Sequence, residues 1–237
     1  MTCSRASASL FLAGLLLGLV TGSCRAAAGG ARTGPSIRLN PPSASQSLTV
    51  EQALAQRRSV RSYEPEPLTL REVSQLLWAA QGITDRRGHR TAPSAGATYP
   101  LECYLVAGKV ESLAPGVYRY LPRETAIVQI AEGDKRGALT ARALFQRSIA
   151  QAPASIVIAA DLNRTVARYL KPGRRFVYME VGHCAQNIAL EAEALGLGSV
   201  CIGAFDAGAV GKLLGIREEV SYILPVGRPR KGRETDD

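Results

Sequence analysis

Between about Arg175 and Leu195, Val177, Val181, Cys184, Ile188, Ala192 and Leu195 recur three or four residues apart, with Gly182, Ala185 and Ala189 set among them. That spacing puts one apolar face on a helix, and the small residues make most of its other sides unsuited to water. The Gly196-Leu197-Gly198 sequence ends it, as glycine does at a helix C-terminus. A helix of this kind belongs inside a core or a subunit interface, so the rest of the chain has to supply what covers it. With 237 residues, 46% of them hydrophobic and mean hydropathy at zero, one ordinary domain with a real core can be built.

The elements that could cover it are legible upstream. Thr49-Val50-Glu51-Gln52 and Thr69-Leu70-Arg71-Glu72 both fit the capping box that starts a helix. The first helix should run to about Arg58 and the second to Gly82. Glu102 to Ala107, Gly116 to Leu121 and Ala126 to Ile130 read as strands, the last two as a hairpin. A helix over about Lys135 to Ala150 gives way to the apolar run Ser155 to Ala160, which suits a buried strand. After the long helix come a strand over Ser199 to Ile202, a helix capped by Asp206 running to Leu214, and a last strand over Ser221 to Val226. The boundaries expected are an export signal over 1–28, a linker over 29–47, a domain over 48–229 and a tail over 230–237.

The N-terminus has a basic start at Arg5, an apolar run from Leu10 to Val20 and small residues ending in Ala26-Ala27-Ala28, the three parts of an export signal. The run is about half of the roughly 20 residues that span a bilayer, which makes a permanent anchor helix the weaker reading, and the mature chain is expected in the periplasm or outside the cell. Thr21-Gly22-Ser23-Cys24 offers lipid anchoring through Cys24 as an alternative. The net charge of +9 is inflated by Arg5, Arg25, Arg32 and Arg38, which precede any acid, leaving +5 for the rest. Without a block of like charge and with 5% aromatic residues, nucleic acid is not an expected partner; the excess suits a small anion. Cys103, Cys184 and Cys201 are widely spaced and expected to be buried, and His183 is expected inside the core. Neither His89 nor His183 has neighbours at ligand spacing, so no metal site is expected.

Three segments could carry chemistry. Arg57, Arg58, Ser59 and Arg61 place three guanidiniums and a hydroxyl at a helix end, a set that suits a phosphate, although arginines also end helices merely to complement the dipole. Pro93, Ser94, Ala95 and Gly96 form a loop of small residues that lets backbone approach a flat ligand, or is only a turn. Gly203 and Ala204 follow a strand and could point N–H groups at a ligand, or only ease a bend before the Asp206 cap.

Taken in order, RRSVRSY, LLWAAQG, PSAGATYPLECY, FVYMEVGHCAQN, ALGLG, GAFD and ILPVGRP resemble the FMN-dependent nitroreductase superfamily, in its SagB/ThcOx-type dehydrogenase branch. The resemblance implies an α+β fold, a mostly antiparallel sheet flanked by helices, forming an intertwined homodimer with two FMN sites at the interface. Arg57, Ser59 and Arg61, with Arg58 in the same loop, would hold the FMN phosphate and ribityl chain. Pro93, Ser94, Ala95 and Gly96 would pack along the flavin of the other subunit, and the N–H groups of Gly203 and Ala204 would sit near N5 and O4. Arg228, Lys231 or Arg233 would add a basic residue after the last strand. NADH or NADPH is the candidate electron donor, a small molecule or a peptide the substrate, and no acid or base residue is assigned. The azoline oxidases of the branch carry a Lys-Tyr pair where this chain has Arg168-Tyr169, and an always-charged arginine is a poor proton acceptor. Azoline-to-azole oxidation of a peptide, and flavin binding without turnover, are the alternatives.

Overall fold

Antiparallel strands usually alternate between apolar and polar positions, but β2 (Leu101–Ala107) and β5 (Ala154–Ala160) are buried at every position. Both faces of the sheet must therefore be covered. In the computed structural model, which describes residues 34–43 and 48–230, they are. Cys103, Leu105, Ile156 and Ile158 pack on α2 (Leu70–Gln81) and the long helix α6 (Gly173–Ala194). Tyr104, Val106, Val157 and Ala159 pack the other way, against Leu139 of α3 (Arg136–Arg142), Ile149 of α4 (Arg147–Gln151), and Val210 and Leu214 of α7 (Ala207–Leu214).

Among the described residues seven strands form one antiparallel sheet in the order β1-β4-β3-β2-β5-β7-β6. The remaining strands are β1 (Ser36–Arg38), β3 (Gly116–Leu121), β4 (Ala126–Glu132), β6 (Gly198–Ser199) and β7 (Glu219–Gly227). The expected α+β fold, with helices flanking a mostly antiparallel sheet, is what the chain adopts. No helix among the described residues is long and apolar enough to cross a membrane.

Both capping boxes form. Thr49 and Gln52 cap α1 (Val50–Gln56), and Thr69 and Glu72 cap α2. Thr69→Ala is expected to lower stability by ~1 kcal/mol, read as a shift in the urea midpoint at unchanged slope.

Four expectations change. The stretch read as linker supplies edge strand β1, buries Leu39, and gives its Asn40 and Ser43 N–H groups to Ser74 and Gln75 of α2. The single helix expected over 135–150 is two, parted where Leu144 and Phe145 take φ of 53° and 57°; no glycine or proline marks the break. Asp161 caps an unanticipated helix, α5 (Leu162–Tyr169), whose polar face hides its period. The strand expected over Ser199 to Ile202 shrinks to β6, after which Ile202 alone pairs with Ile223.

Candidate active site

The chain leaves α1 at Arg57 and runs beside β6. Ser59 pairs with Ser199, and the Val60 N–H donates to the Ser199 carbonyl at 2.9 Å. A Cβ at Gly198 would lie 2.5 Å from Val60, so the close approach needs glycine. Tyr63 is buried behind the segment, its hydroxyl reaching the carbonyls of Val60 and, at 3.1 Å, of Pro225. Burial pushes its pKa far up, and the group stays a neutral donor. Tyr63→Phe leaves those carbonyls short of a donor and should lower stability by ~1–2 kcal/mol in a denaturant titration.

This path sets Arg57 near Cys201 and, with Arg58, near Glu193 of α6. Cys201 is exposed, not buried as expected; partial shielding raises its pKa while Arg57 draws it down. Arg58 is turned back on its own helix, donating to the carbonyls of Ala55 and Arg57. From Cys201 the chain continues to Gly203, which lies against the Tyr222 ring, and to Ala204, whose carbonyl accepts from Gln146 at 2.9 Å. A cleft of about 300 Å³ opens there, lined by Gly203, Phe205, Tyr178, Glu219 and Tyr222. Ser199 is level with Val226 and Gly203 with Tyr222, four residues or about 13 Å along β7. An elongated ligand with its anion beside Arg57 would bring its far end to Gly203 and Ala204.

The Pro93–Gly96 loop is held from α5. Ser94 Oγ accepts the Tyr99 N–H at 2.9 Å, and the hydroxyls of Thr98 and Thr165 lie 2.8 Å apart. Gly96 has φ of 59°, and a Cβ there would meet the Tyr169 hydroxyl at 2.6 Å and Arg168 Nε at 2.7 Å. Arg168 also donates to the Gly96 carbonyl at 3.2 Å. Arg164 donates to the Tyr99 carbonyl and to Glu102, and Arg90 lies 4.6 Å from the centre of the Tyr99 ring.

Two rulers show that this loop and the arginines stand apart within one chain. Ser59 is level with Ser199, Val226 and Ala154, whereas Leu101, into which the loop feeds, pairs with Ala160. That is six residues of β5, about 20 Å, plus the lateral step from β6 to β2. On α6, Glu180 faces Ser94 while Glu193 faces Arg57, thirteen residues or again about 20 Å.

The nitroreductase family model matches residues 54–228. The chain belongs to the nitroreductase family. A protein of Methanocaldococcus jannaschii that carries the nitroreductase name is 47% identical over 183 residues, 77% of this chain and 92% of the relative. A crystal structure named as a nitroreductase from Ralstonia eutropha has TM-score 0.72 and 25% identity, covering 86% of this chain and 94% of that one. Another, from Anabaena variabilis, has TM-score 0.69 and 32% identity; the match covers 76% of this chain and 38% of the Anabaena chain. The protein is thus an oxidoreductase of the nitroreductase family.

The other residues expected at the site fall as follows. Arg228 pairs with Glu72 at 2.8 Å and Glu66 at 3.3 Å, and is spent on the start of α2. Lys231, Arg233, the 1–28 signal and Cys24 lie outside the described residues. His183 is exposed on α6, not interior. Glu180 belongs to none of the three segments singled out in the sequence. It stands three residues after Val177 and four before Cys184, on the buried stripe itself, and a carboxylate on such a stripe was the available signal.

Proposed function

We propose that this nitroreductase-family protein is an exported, FMN-dependent oxidoreductase of the SagB/ThcOx type that works as a homodimer, taking electrons from NADH or NADPH and passing two of them through flavin N5 to a small organic acceptor. The observation that carries the proposal is the split between the two halves of the site. The Arg57 end and the Pro93–Gly96 loop are about 20 Å apart by both rulers, so a second copy is needed to bring such a loop to the ligand. The outer face of α6 is suited to that copy: Tyr178 and Met179 are exposed, and a Cβ at Gly182 would meet nothing within 4 Å. Export by the 1–28 signal into the periplasm or beyond completes the proposal.

The residues present fit FMN. Arg57 and Arg61 offset a dianionic phosphate and Ser59 adds a hydroxyl. The backbone N–H groups of Gly203 and Ala204 would oppose negative charge building up near N5 and O4. Small side chains at Ala95 and Gly96 let backbone lie close to a flat ring. FMN, when bound, supplies the hydride and two-electron chemistry. Arg168, committed to the Gly96 carbonyl, braces the loop and is not available as a base, which weighs against azoline oxidation.

The test is anaerobic mixing of FMN-loaded protein with NADPH or NADH, followed by a nitroaromatic or quinone. Bleaching of the yellow colour and its return on adding the acceptor is the expected result. Bound FMN that no donor reduces would mean a flavin-binding module without turnover, and loss of two hydrogens from a cyclised peptide would mean azoline oxidation.

A further inference from the structure

Glu180 is 2% exposed, and neither of its carboxylate oxygens has a hydrogen-bond partner in good geometry. A buried carboxylate in that condition is costly, and a carboxylate oxygen left unpaired calls for an explanation. Its surroundings supply one. The Ser94 hydroxyl and the Ala95 N–H face the carboxyl from the Pro93–Gly96 loop, and the Arg90 guanidinium faces it from the segment before that loop. Behind Arg90 stand Glu102 and Cys103 of β2 and Arg164 of α5, and Arg168 of α5 holds Gly96 from the far side. Ser94 Oγ is engaged as acceptor by the Tyr99 N–H, which leaves its own proton to be given, and Glu180 is the carboxyl in front of it.

We infer that Glu180 is a positioning residue for the Pro93–Gly96 loop: its buried carboxyl, faced by the Ser94 hydroxyl and the Ala95 N–H, makes the seating of that loop, and through it the hold on the flavin, depend on pH. The inference rests on the flavin reading for its second half only. Burial pushes the Glu180 pKa up to about 7, against the pull of Ser94, Arg90 and Ala95, with burial the larger effect. The seated loop therefore keeps a proton on Glu180 that an opened, hydrated one would release in the ordinary carboxyl range. Where the seated form binds the extra proton, seating weakens as pH rises. The weakening starts above the ordinary carboxyl range, continues to about 7, and is level beyond.

The experiment is FMN binding, followed by quenching of FMN fluorescence from pH ~5 to ~9, on the full chain, on Glu180→Gln and on Ser94→Ala, with thermal melts of the same proteins without FMN. Wild type should lose about tenfold or more in affinity by neutral pH and then level off. Glu180→Gln, neutral and of the same shape, should bind with little pH dependence and melt above wild type at pH ~8 but not at pH ~5. Ser94→Ala removes a donor that favours the ionised carboxyl, so its affinity should level off at a higher pH than in wild type. Equal pH profiles for wild type and Glu180→Gln, in both binding and melting, would overturn the inference while leaving the flavin reading intact. A pH-dependent difference in melting with no FMN bound by either protein would overturn the flavin reading and confine Glu180 to the loop.

Discussion

Replacing Glu102 by alanine is expected to lower the stability of the fold by ~3–5 kcal/mol, the range for a buried ion pair that loses one partner. Glu102 is the second residue of β2, directly after the Pro93–Gly96 loop and its return. Its side chain is 10% exposed, with Arg119 at 3.0 Å on one oxygen and Arg164 at 2.6 Å on the other. Truncation leaves two guanidiniums facing each other without the anion between them, in a place where water cannot fully replace it. The damage should also spread, because Arg164, which keeps Asp161 at 3.3 Å, uses a further nitrogen to hold the Tyr99 carbonyl. Glu102→Gln, which keeps the shape and one acceptor, should cost less. Equilibrium urea unfolding monitored at Trp78 reads both, and a change below ~1 kcal/mol for the alanine variant would class the pair with exposed bridges.

Arg57→Ala should weaken FMN binding by about 1.5–3 kcal/mol, the worth of hydrogen bonds to a charged group, or roughly a factor of ten to one hundred and fifty. Arg57 ends α1 beside Cys201, at the start of the segment that leads to Gly203 and Ala204. Arg58 is the internal control, since its guanidinium is folded onto the carbonyls of Ala55 and Arg57; Arg58→Ala should change FMN affinity far less. The Arg57 effect should also shrink as salt is raised. Equal and small losses for both variants would mean that these arginines are a solvated helix end and nothing more.

What could be read from the amino-acid order follows from how local each signal is. The helices α1 and α2 declare themselves through capping boxes confined to four residues each, and α6 through the long apolar stripe from Val177 to Ala192. The break at Leu144 and Phe145 carries no such signal: the Phe145 N–H turns back to the Thr140 carbonyl, and Gln146 beyond it reaches the carbonyl of Ala204, 58 positions away. The polar helix α5 exists for what it touches, since Arg164 and Arg168 spend their guanidiniums on Tyr99, Glu102 and Gly96. Exposure was the least legible property. Gly182, His183 and Cys201 sit in apolar surroundings along the chain, yet His183 and Cys201 are exposed, because nothing among the described residues packs over that side of α6 or the end of β6. The individual segments of the candidate site were recognisable one by one. Their division into two groups about 20 Å apart depends on strand register, which no single segment carries.

The most direct test of the account is the molar mass and visible spectrum of one chromatographic peak, taken by light scattering with absorbance detection after incubation with FMN. Two copies joined around two flavins predict a yellow species of twice the chain mass with one FMN per chain. A colourless peak, or a yellow one at the mass of a single chain, would contradict it.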